Sequence, residues 1–282
     1  MLKKILLALF IAYIIGGLFL ISPMYSFCVL RPSRAARVLL METVHGAKPV
    51  PLIIQRPDGM NLSGWFFKVP ESNELAIVHH GRGGNLFNRL FLAQKLIDHK
   101  ISVLLYDYRG YGESDGEAQL SQLVDDALVA HDYALKQLAF KPMQIITYGE
   151  SIGTGVACEV AKQRECSAVV LQSPFSSLPL EAQESIPILF LYPVFLFPGP
   201  KFDNVSFVKQ PHPPLLIIHG ELDKRIHVSH AQKLFKEAVD PKALVTLPNA
   251  GHNNVGGVDA ELYTEALTKF FNKFRADKVQ SH

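Results

Sequence analysis

The run Gly149-Glu150-Ser151-Ile152-Gly153 constrains this chain more than any other part of its sequence. It follows an apolar β-type run that ends at Thr147, and it precedes a helix-capable run from Gly155 to Gln163. Gly-x-Ser-x-Gly between a strand and a helix is the signature of a nucleophile elbow, a sharp turn that holds a serine hydroxyl away from the backbone. Glycines two residues to either side remove side chains that would collide there. The simpler alternative is a glycine-rich turn that closes a buried strand.

Short apolar runs alternate with amphipathic helical patterns along the rest of the chain. The strand-like runs are 49–54, 62–69, 75–79, 101–106, 144–147, 168–171, 215–218 and 243–247. An Asp58-Gly59 turn joins the first two, which predicts a leading strand pair. The alternation predicts βαβ units around a mostly parallel sheet. After the N-terminal segment about 240 residues remain, so we expect one α/β domain over residues 45–278.

The N-terminal segment has a different character. Lys3 and Lys4 precede seventeen uncharged residues from Ile5 to Ile21, a length at the short end of a membrane span. No small-x-small cleavage site follows, which favours an uncleaved, single-pass membrane anchor at residues 1–30 over a signal peptide. Basic residues flank both ends of the run, so the side of the membrane that carries the remaining chain stays open.

Charge and cysteine content argue against several classes of partner. The net charge of +2 gives no electrostatic support for nucleic-acid binding. Cys28, Cys158 and Cys166 show neither a CxxC motif nor the spacing of a metal site, and they do not form a disulfide framework. We therefore expect no nucleic-acid partner.

A serine nucleophile needs a base within hydrogen-bond reach and an acid that orients the base. In an open parallel sheet these residues are sought just after the strands, where ligands bind. Asp223 follows the seventh strand-like run and His252 follows the eighth. Ser151, Asp223 and His252 are thus the predicted catalytic residues, in the order serine, acid, histidine. Glu221 follows the same strand as Asp223 and is the alternative acid.

The oxyanion of an acyl-transfer reaction needs two backbone N–H donors. One is predicted at Ile152, where a helix begins and its first N–H groups are unpaired. The other is predicted at Arg82, in the glycine-rich loop 80–85 after the third strand-like run. A phosphate cradle is the alternative for this loop, but it lacks both the G-x-G-x-x-G and the Walker lysine patterns.

A long segment, residues 176–210, interrupts the alternation of strands and helices. Insertions of this length are usually functional, and three prolines within residues 186–198 argue against a second membrane span. We expect a cap over the carboxyl edge of the sheet, with Leu189, Phe190 and Phe195 contacting substrate. The alternative is a set of helical turns packed on the core.

Four landmarks together resemble the α/β-hydrolases. They are His80-Gly81-x-x-x-Asn85, Asp107-x-Arg109-Gly110-x-Gly112-x-Ser114, Gly149-x-Ser151-x-Gly153, and Gly220-x-x-Asp223 with His252. Membrane-anchored serine hydrolases, lysophospholipase and monoacylglycerol-lipase relatives and serine aminopeptidase-like proteins form the most similar branch. The resemblance implies an eight-stranded sheet, a Ser-His-Asp triad and an acyl-enzyme mechanism without metal or nucleotide cofactor. One departure is Ile226-His227, where the family often has Ile/Val-Pro.

The resulting prediction is a serine hydrolase that cleaves a carboxylic ester or thioester. The apolar cap and the predicted anchor point to a small-molecule acyl or lipid substrate. An aminopeptidase-like amide hydrolase is one alternative, in which Glu181 or Glu184 would hold the amine of the substrate. A non-catalytic, membrane-anchored binding protein with the same fold is the other. The sequence does not determine the oligomeric state.

Overall fold

The computed structural model describes residues 1–20, 23–34, 44 and 46–280, and its centre is an eight-stranded sheet. In chain order the strands are β1 (Arg31–Pro32), β2 (Pro49–Gln55), β3 (Asn61–Phe67), β4 (Leu75–His79), β5 (Gly83–Gly84), β6 (Ser102–Tyr106), β7 (Ile145–Glu150), β8 (Ala168–Gln172), β9 (Leu215–Gly220) and β10 (Lys242–Leu247). The order across the large sheet is β10-β9-β8-β7-β4-β6-β3-β2, and β1 pairs separately with β5. All neighbours in the large sheet are parallel except the pairs β2–β3 and β3–β6.

Helices cover both faces of the sheet. They are α1 (Leu2–Leu20), α2 (Pro23–Val29), α3 (Leu90–Asp98), α4 (Leu123–Lys136), α5 (Ile152–Gln163), α6 (Leu178–Ser185), α7 (Asn204–Val208), α8 (Ser229–Glu237) and α9 (Ala260–Gln280). Alternate residues of β4 point to opposite faces, so Leu75 and Ile77 pack in the cluster of α4 and α5, whereas Ala76 and Val78 pack with α3 and α9. Burial on both faces explains the continuous apolar runs in the sequence. The predicted α/β architecture is confirmed.

The predicted membrane anchor is wrong. No helix in the described part of the chain has both the length and the apolar character needed to cross a membrane. The apolar residues of this segment are partly used for packing within the protein, since Leu20, Tyr25 and Leu30 are buried in the same core as α4 and α5. The expectation of a single-pass membrane protein depended on this anchor and is therefore wrong as well.

α1 also contacts the segment 176–210 directly. The rings of Tyr13 and Tyr192 stack with centroids 4.7 Å apart, and the Tyr192 hydroxyl donates a hydrogen bond of 2.9 Å to the Tyr13 carbonyl. Gly16 lies so close to this hydroxyl that a Cβ atom there would collide with it. The segment itself contains α6, 3₁₀ turns at 187–191 and 194–196, and α7. Its role as a cap stays a prediction.

Candidate active site

The turn at Ser151 joins β7 to α5 in a strained backbone conformation. Ser151 has φ 53° and ψ −118°, a positive φ that is uncommon for a residue other than glycine. A Cβ atom on Gly149 would collide with the Gly153 carbonyl, and one on Gly153 would collide with the His79 carbonyl at the end of β4. The two glycines are therefore required by close approaches of backbone to backbone.

The structure brings Ser151, His252 and Asp223 together. The Ser151 Oγ atom lies 3.0 Å from His252 Nε2, and His252 Nδ1 lies 2.6 Å from Asp223 Oδ2. If Nδ1–H donates to the carboxylate, Nε2 carries the lone pair that can accept the serine proton. The three residues follow β7, β10 and β9, so they meet at the carboxyl edge of the sheet.

Several donors hold the Asp223 carboxylate in its charged form. Its Oδ1 atom accepts the N–H groups of Arg225 (2.8 Å) and Ile226 (2.9 Å). His219 Nε2 lies 3.4 Å from Asp223 Oδ2 and 2.8 Å from the Ile226 carbonyl. Burial alone would raise the pKa of Asp223, but hydrogen bonds from His219, His252 and the Ile226 N–H outweigh it and keep the pKa well below its ordinary value.

His219 is a neighbour of the acid that sequence reasoning missed. It is buried at the end of β9. His219 contacts Asp223 and not Ser151. The spacing of four residues between His219 and Asp223 was the one available signal, and such spacing has no fixed meaning in a loop.

The competing acidic side chains have other partners. Glu221 is exposed and accepts a hydrogen bond of 2.7 Å from Thr246 Oγ1. Glu184 lies 2.8 Å from His230 Nε2. Within the residues that the structure describes, no group of His, Cys, Asp and Glu side chains is arranged to hold a metal ion.

The two predicted oxyanion donors, Arg82 and Ile152, line one cavity together with Ser151. Among the described residues, no backbone carbonyl accepts a hydrogen bond from either N–H group. The loop that carries Arg82 is fixed from its other side, because the Arg82 carbonyl accepts hydrogen bonds from the Arg31 N–H (2.8 Å) and the Tyr111 hydroxyl (2.9 Å). The predicted donors thus lie on a loop fixed by hydrogen bonds, for Arg82, and at the beginning of a helix, for Ile152.

Arg89 joins the turn at Ser151 to the loop that carries Arg82. Its guanidinium donates to both carboxylate oxygens of Glu150, over 2.8 Å and 3.2 Å. The same guanidinium donates to the Gly83 carbonyl (2.7 Å) and the Asn85 carbonyl (3.2 Å). Glu150, which precedes Ser151, had no predicted role, because a pairing of residues 61 positions apart leaves no local pattern in the sequence.

The cavity beside Ser151 has a volume of about 350 Å³ and mostly apolar walls. Leu189, one of the predicted substrate contacts, lines it. Phe190 and Phe195 do not line it and are 58% and 78% exposed, respectively. Leu20, the last residue of α1, also lines the cavity, as do Tyr25, Cys28 and Val29 of α2. The remaining lining residues are Phe175, Leu178, Glu181, Ala182, Ser185, Ile186, Arg225 and Ile226.

Comparison with known proteins places the chain in a family. The family model described as "Serine aminopeptidase, S33" matches residues 70–196. The chain is 33% identical over 224 residues to the uncharacterized protein Rv2307c of Mycobacterium tuberculosis, and the match covers 79% of each chain. It is 32% identical over 168 residues to the alpha/beta hydrolase domain-containing protein 17B of Xenopus laevis, covering 60% of this chain and 54% of that protein.

Among solved structures, the esterase Pf2001 of Pyrococcus furiosus superimposes with a TM-score of 0.71 at 18% sequence identity. The superposition covers 87% of this chain and 98% of the esterase. The fold and the sequence relatives agree on the class of protein. The chain belongs to the α/β-hydrolase superfamily, and it is a hydrolase.

Proposed function

We propose that this protein is a serine hydrolase that cleaves a carboxylic ester or thioester through an acyl-enzyme. The observation that carries the proposal is the unbroken chain of contacts from Ser151 Oγ through the His252 imidazole to the Asp223 carboxylate, at 3.0 Å and 2.6 Å. A hydroxyl, an imidazole and a carboxylate in this order form an activated nucleophile with its base and the orienting acid.

In the proposed acylation, Ser151 Oγ attacks the substrate carbonyl carbon while His252 Nε2 takes the hydroxyl proton. The Arg82 and Ile152 N–H groups stabilise the oxyanion of the tetrahedral intermediate. The imidazolium then donates its proton to the leaving oxygen or sulfur atom as the carbonyl re-forms. Water, activated by the same imidazole, releases the acid and restores Ser151. Throughout, Asp223 holds the imidazole in the required tautomer.

The cavity supports an acyl substrate. Its walls are mainly aliphatic and aromatic, and apolar pockets with few polar groups are typical of sites for small molecules with hydrocarbon parts. A fatty or other alkanoyl chain would bury its methylenes there, while its ester carbonyl lies at Ser151. The structural similarity to an esterase of Pyrococcus furiosus supports an ester over an amide.

Amide hydrolysis of the aminopeptidase kind is the second candidate, because the description of the matching family and the position of Glu181 favour it. Glu181 lines the cavity, where its carboxylate could hold a substrate amine. Arg82 and Arg225 line the same cavity, and their positive charges, which also act on the Glu181 carboxylate, would repel a cationic amine. Burial also raises the pKa of Glu181, which weakens it as a partner for an ammonium group. We therefore rank the ester first.

A direct test compares p-nitrophenyl esters of increasing acyl length with aminoacyl p-nitroanilides. We expect turnover of the esters by the wild type and its loss in Ser151→Ala. Faster turnover of the anilides would move the assignment to the amide hydrolase. Equal turnover by the wild type and Ser151→Ala would contradict Ser151 as the nucleophile. A wild type that turns over neither substrate class above the uncatalysed rate would favour a binding protein with the same fold.

A further inference from the structure

The N-terminal helices reach the cavity that contains Ser151. Leu20 ends α1, and Tyr25, Cys28 and Val29 lie on α2; all four line this cavity. A segment whose apolar residues predicted a membrane anchor therefore forms part of the wall beside the candidate nucleophile.

This wall is attached to the rest of the site at its C-terminal end. β1 pairs in parallel with β5, so that Arg31 lies beside Gly83 in the loop that carries the oxyanion donor. The Ser33 N–H donates to the Gly84 carbonyl over 3.1 Å, and the Gly112 N–H donates to the Ser33 carbonyl over 2.9 Å. α2 leads directly into this ladder, which fixes its position beside the cavity.

Tyr25 carries a polar group that the folded chain does not use. The residue is only 4% exposed, and its ring packs edge-on against Phe197 with centroids 6.3 Å apart. Its hydroxyl is buried and has no hydrogen-bond partner among the described residues. Burial, together with the Glu181 carboxylate, raises the pKa of Tyr25 far above its ordinary value, so the hydroxyl keeps its proton. Buried hydroxyls are normally paired, so an unpaired one on a residue that lines the cavity indicates an acceptor that the described chain does not supply.

We infer that α2 forms the acyl-chain wall of the substrate site and that the Tyr25 hydroxyl donates a hydrogen bond to an oxygen on the acyl chain. The inference rests on the proposed function and narrows its substrate class to esters of oxygenated acyl chains, such as ether- or hydroxyl-bearing ones. The apolar residues beside Tyr25 contact the methylenes, and the single hydroxyl selects the chain that supplies an acceptor.

Tyr25→Phe tests the hydrogen bond. The probes are p-nitrophenyl alkanoates and the matching oxa-alkanoates, in which an ether oxygen replaces one methylene at successive positions. We expect the wild type to prefer at least one oxa-ester, and Tyr25→Phe to lose about 2- to 10-fold of that preference in kcat/KM. The melting temperature of Tyr25→Phe should not fall, because the variant removes an unpaired hydroxyl from the interior.

Tyr192→Phe is the matched control, since it deletes a tyrosine hydroxyl that is paired, with the Tyr13 carbonyl, outside the cavity lining. It should lower the melting temperature and keep the wild-type oxa-ester preference. If Tyr25→Phe keeps the wild-type preference for oxa-esters over alkanoates at every position of the ether oxygen, the Tyr25 hydroxyl does not donate the inferred hydrogen bond.

Val29→Trp tests the wall. In the wild type, kcat/KM should rise by up to about 4-fold for each methylene that enters the cavity, and the rise should stop at a shorter acyl chain in Val29→Trp. Val194→Trp adds the same bulk at an exposed position that does not line the cavity, and its profile should follow the wild type. If kcat/KM depends on acyl-chain length in the same way in Val29→Trp and the wild type, α2 does not form a wall of the acyl-chain site.

Different results would contradict the proposed function and the inference about α2 and Tyr25. A wild type that hydrolyses no ester contradicts the proposed function and this inference together. A wild type that hydrolyses esters, with Tyr25→Phe and Val29→Trp both indistinguishable from it, contradicts this inference alone.

Discussion

The turn at Ser151 and the N-terminal helices line the same cavity but are held in place in different ways. Contacts of backbone with backbone fix the turn, where Gly149 approaches the Gly153 carbonyl and Gly153 approaches the His79 carbonyl. Side chains position α1, chiefly the stacked rings of Tyr13 and Tyr192, and α2 is held at its C-terminal end by the ladder of β1 with β5. The difference divides the site into a part that cannot change without loss of the fold and a part that can.

This division matches what each part has to do. A nucleophile must be held within a few tenths of an ångström of its base, and backbone contacts provide such rigidity. A wall that contacts an acyl chain needs only the right shape and polarity, and side chains can supply these. We therefore expect substitutions to have large effects at the turn and its partners and smaller ones at the N-terminal helices.

The largest effect is expected from the acid. Asp223→Asn should lower kcat on p-nitrophenyl acetate by about 10⁴-fold, because the amide favours the wrong imidazole tautomer. Glu221→Gln is the matched control at the other carboxylate after β9, and it should keep the wild-type rate. A loss of less than 10-fold in Asp223→Asn, or an equal loss in Glu221→Gln, would contradict the assignment of the acid.

The next effect is on folding. Gly153→Ala places a Cβ atom against the His79 carbonyl, a backbone atom that cannot move without shifting β4. We expect a loss of about 3 kcal/mol or more in the free energy of unfolding, at the upper end of overpacking effects, measured by urea denaturation. A variant as stable as the wild type would show that the turn is less rigid than its geometry indicates.

Glu150→Gln should have a moderate effect on the catalytic rate. The variant weakens the ion pair with Arg89 that joins the nucleophile turn to the loop of Arg82. We expect kcat to fall about 10-fold with KM nearly unchanged, which is less than the roughly 10²- to 10³-fold cost of deleting an oxyanion donor. Asp132→Asn, at the partly exposed ion pair with Arg164, controls for loss of a surface charge pair and should leave both constants unchanged.

The smallest effect is expected at Gly16 in α1. A Cβ atom there meets the Tyr192 hydroxyl, so the ring must shift and its hydrogen bond to the Tyr13 carbonyl weakens, at a cost of about 1 kcal/mol. Alanine also favours the helix over glycine by up to about 1 kcal/mol, which offsets the collision. Gly16→Ala should therefore change the free energy of unfolding by about 1 kcal/mol or less. A loss as large as that of Gly153→Ala would abolish the distinction between the two regions.

The sequence predicts the sheet because its strands are buried on both faces, so each is a short apolar run between helical patterns. The positions of Ser151, Asp223 and His252 follow from the same regularity, since each comes just after a strand. The roles of these residues remain proposals. Their proximity was foreseeable because parallel strands present all their carboxyl ends at one edge of the sheet.

Other parts of the site could not be foreseen from local pattern. The uncharged run Ile5 to Ile21 has the composition expected of a membrane anchor, but no described helix has the length and apolar character to cross a membrane, so the assignment as an anchor was wrong. The contact between Arg89 and Glu150 depends on the folded chain alone. In the proline-interrupted turns around Leu189 no helical period distinguishes the residue that lines the cavity from its exposed neighbour Phe190.

The most direct test of the central claim is labelling with a fluorophosphonate, followed by intact-mass measurement and peptide mapping. A fluorophosphonate reacts much faster with a serine activated as Ser151 is proposed to be than with an ordinary hydroxyl. The account predicts one adduct per chain, located on Ser151 and lost in Ser151→Ala. An adduct on another residue, or equal labelling of the wild type and Ser151→Ala, would contradict the assignment of Ser151 as the nucleophile.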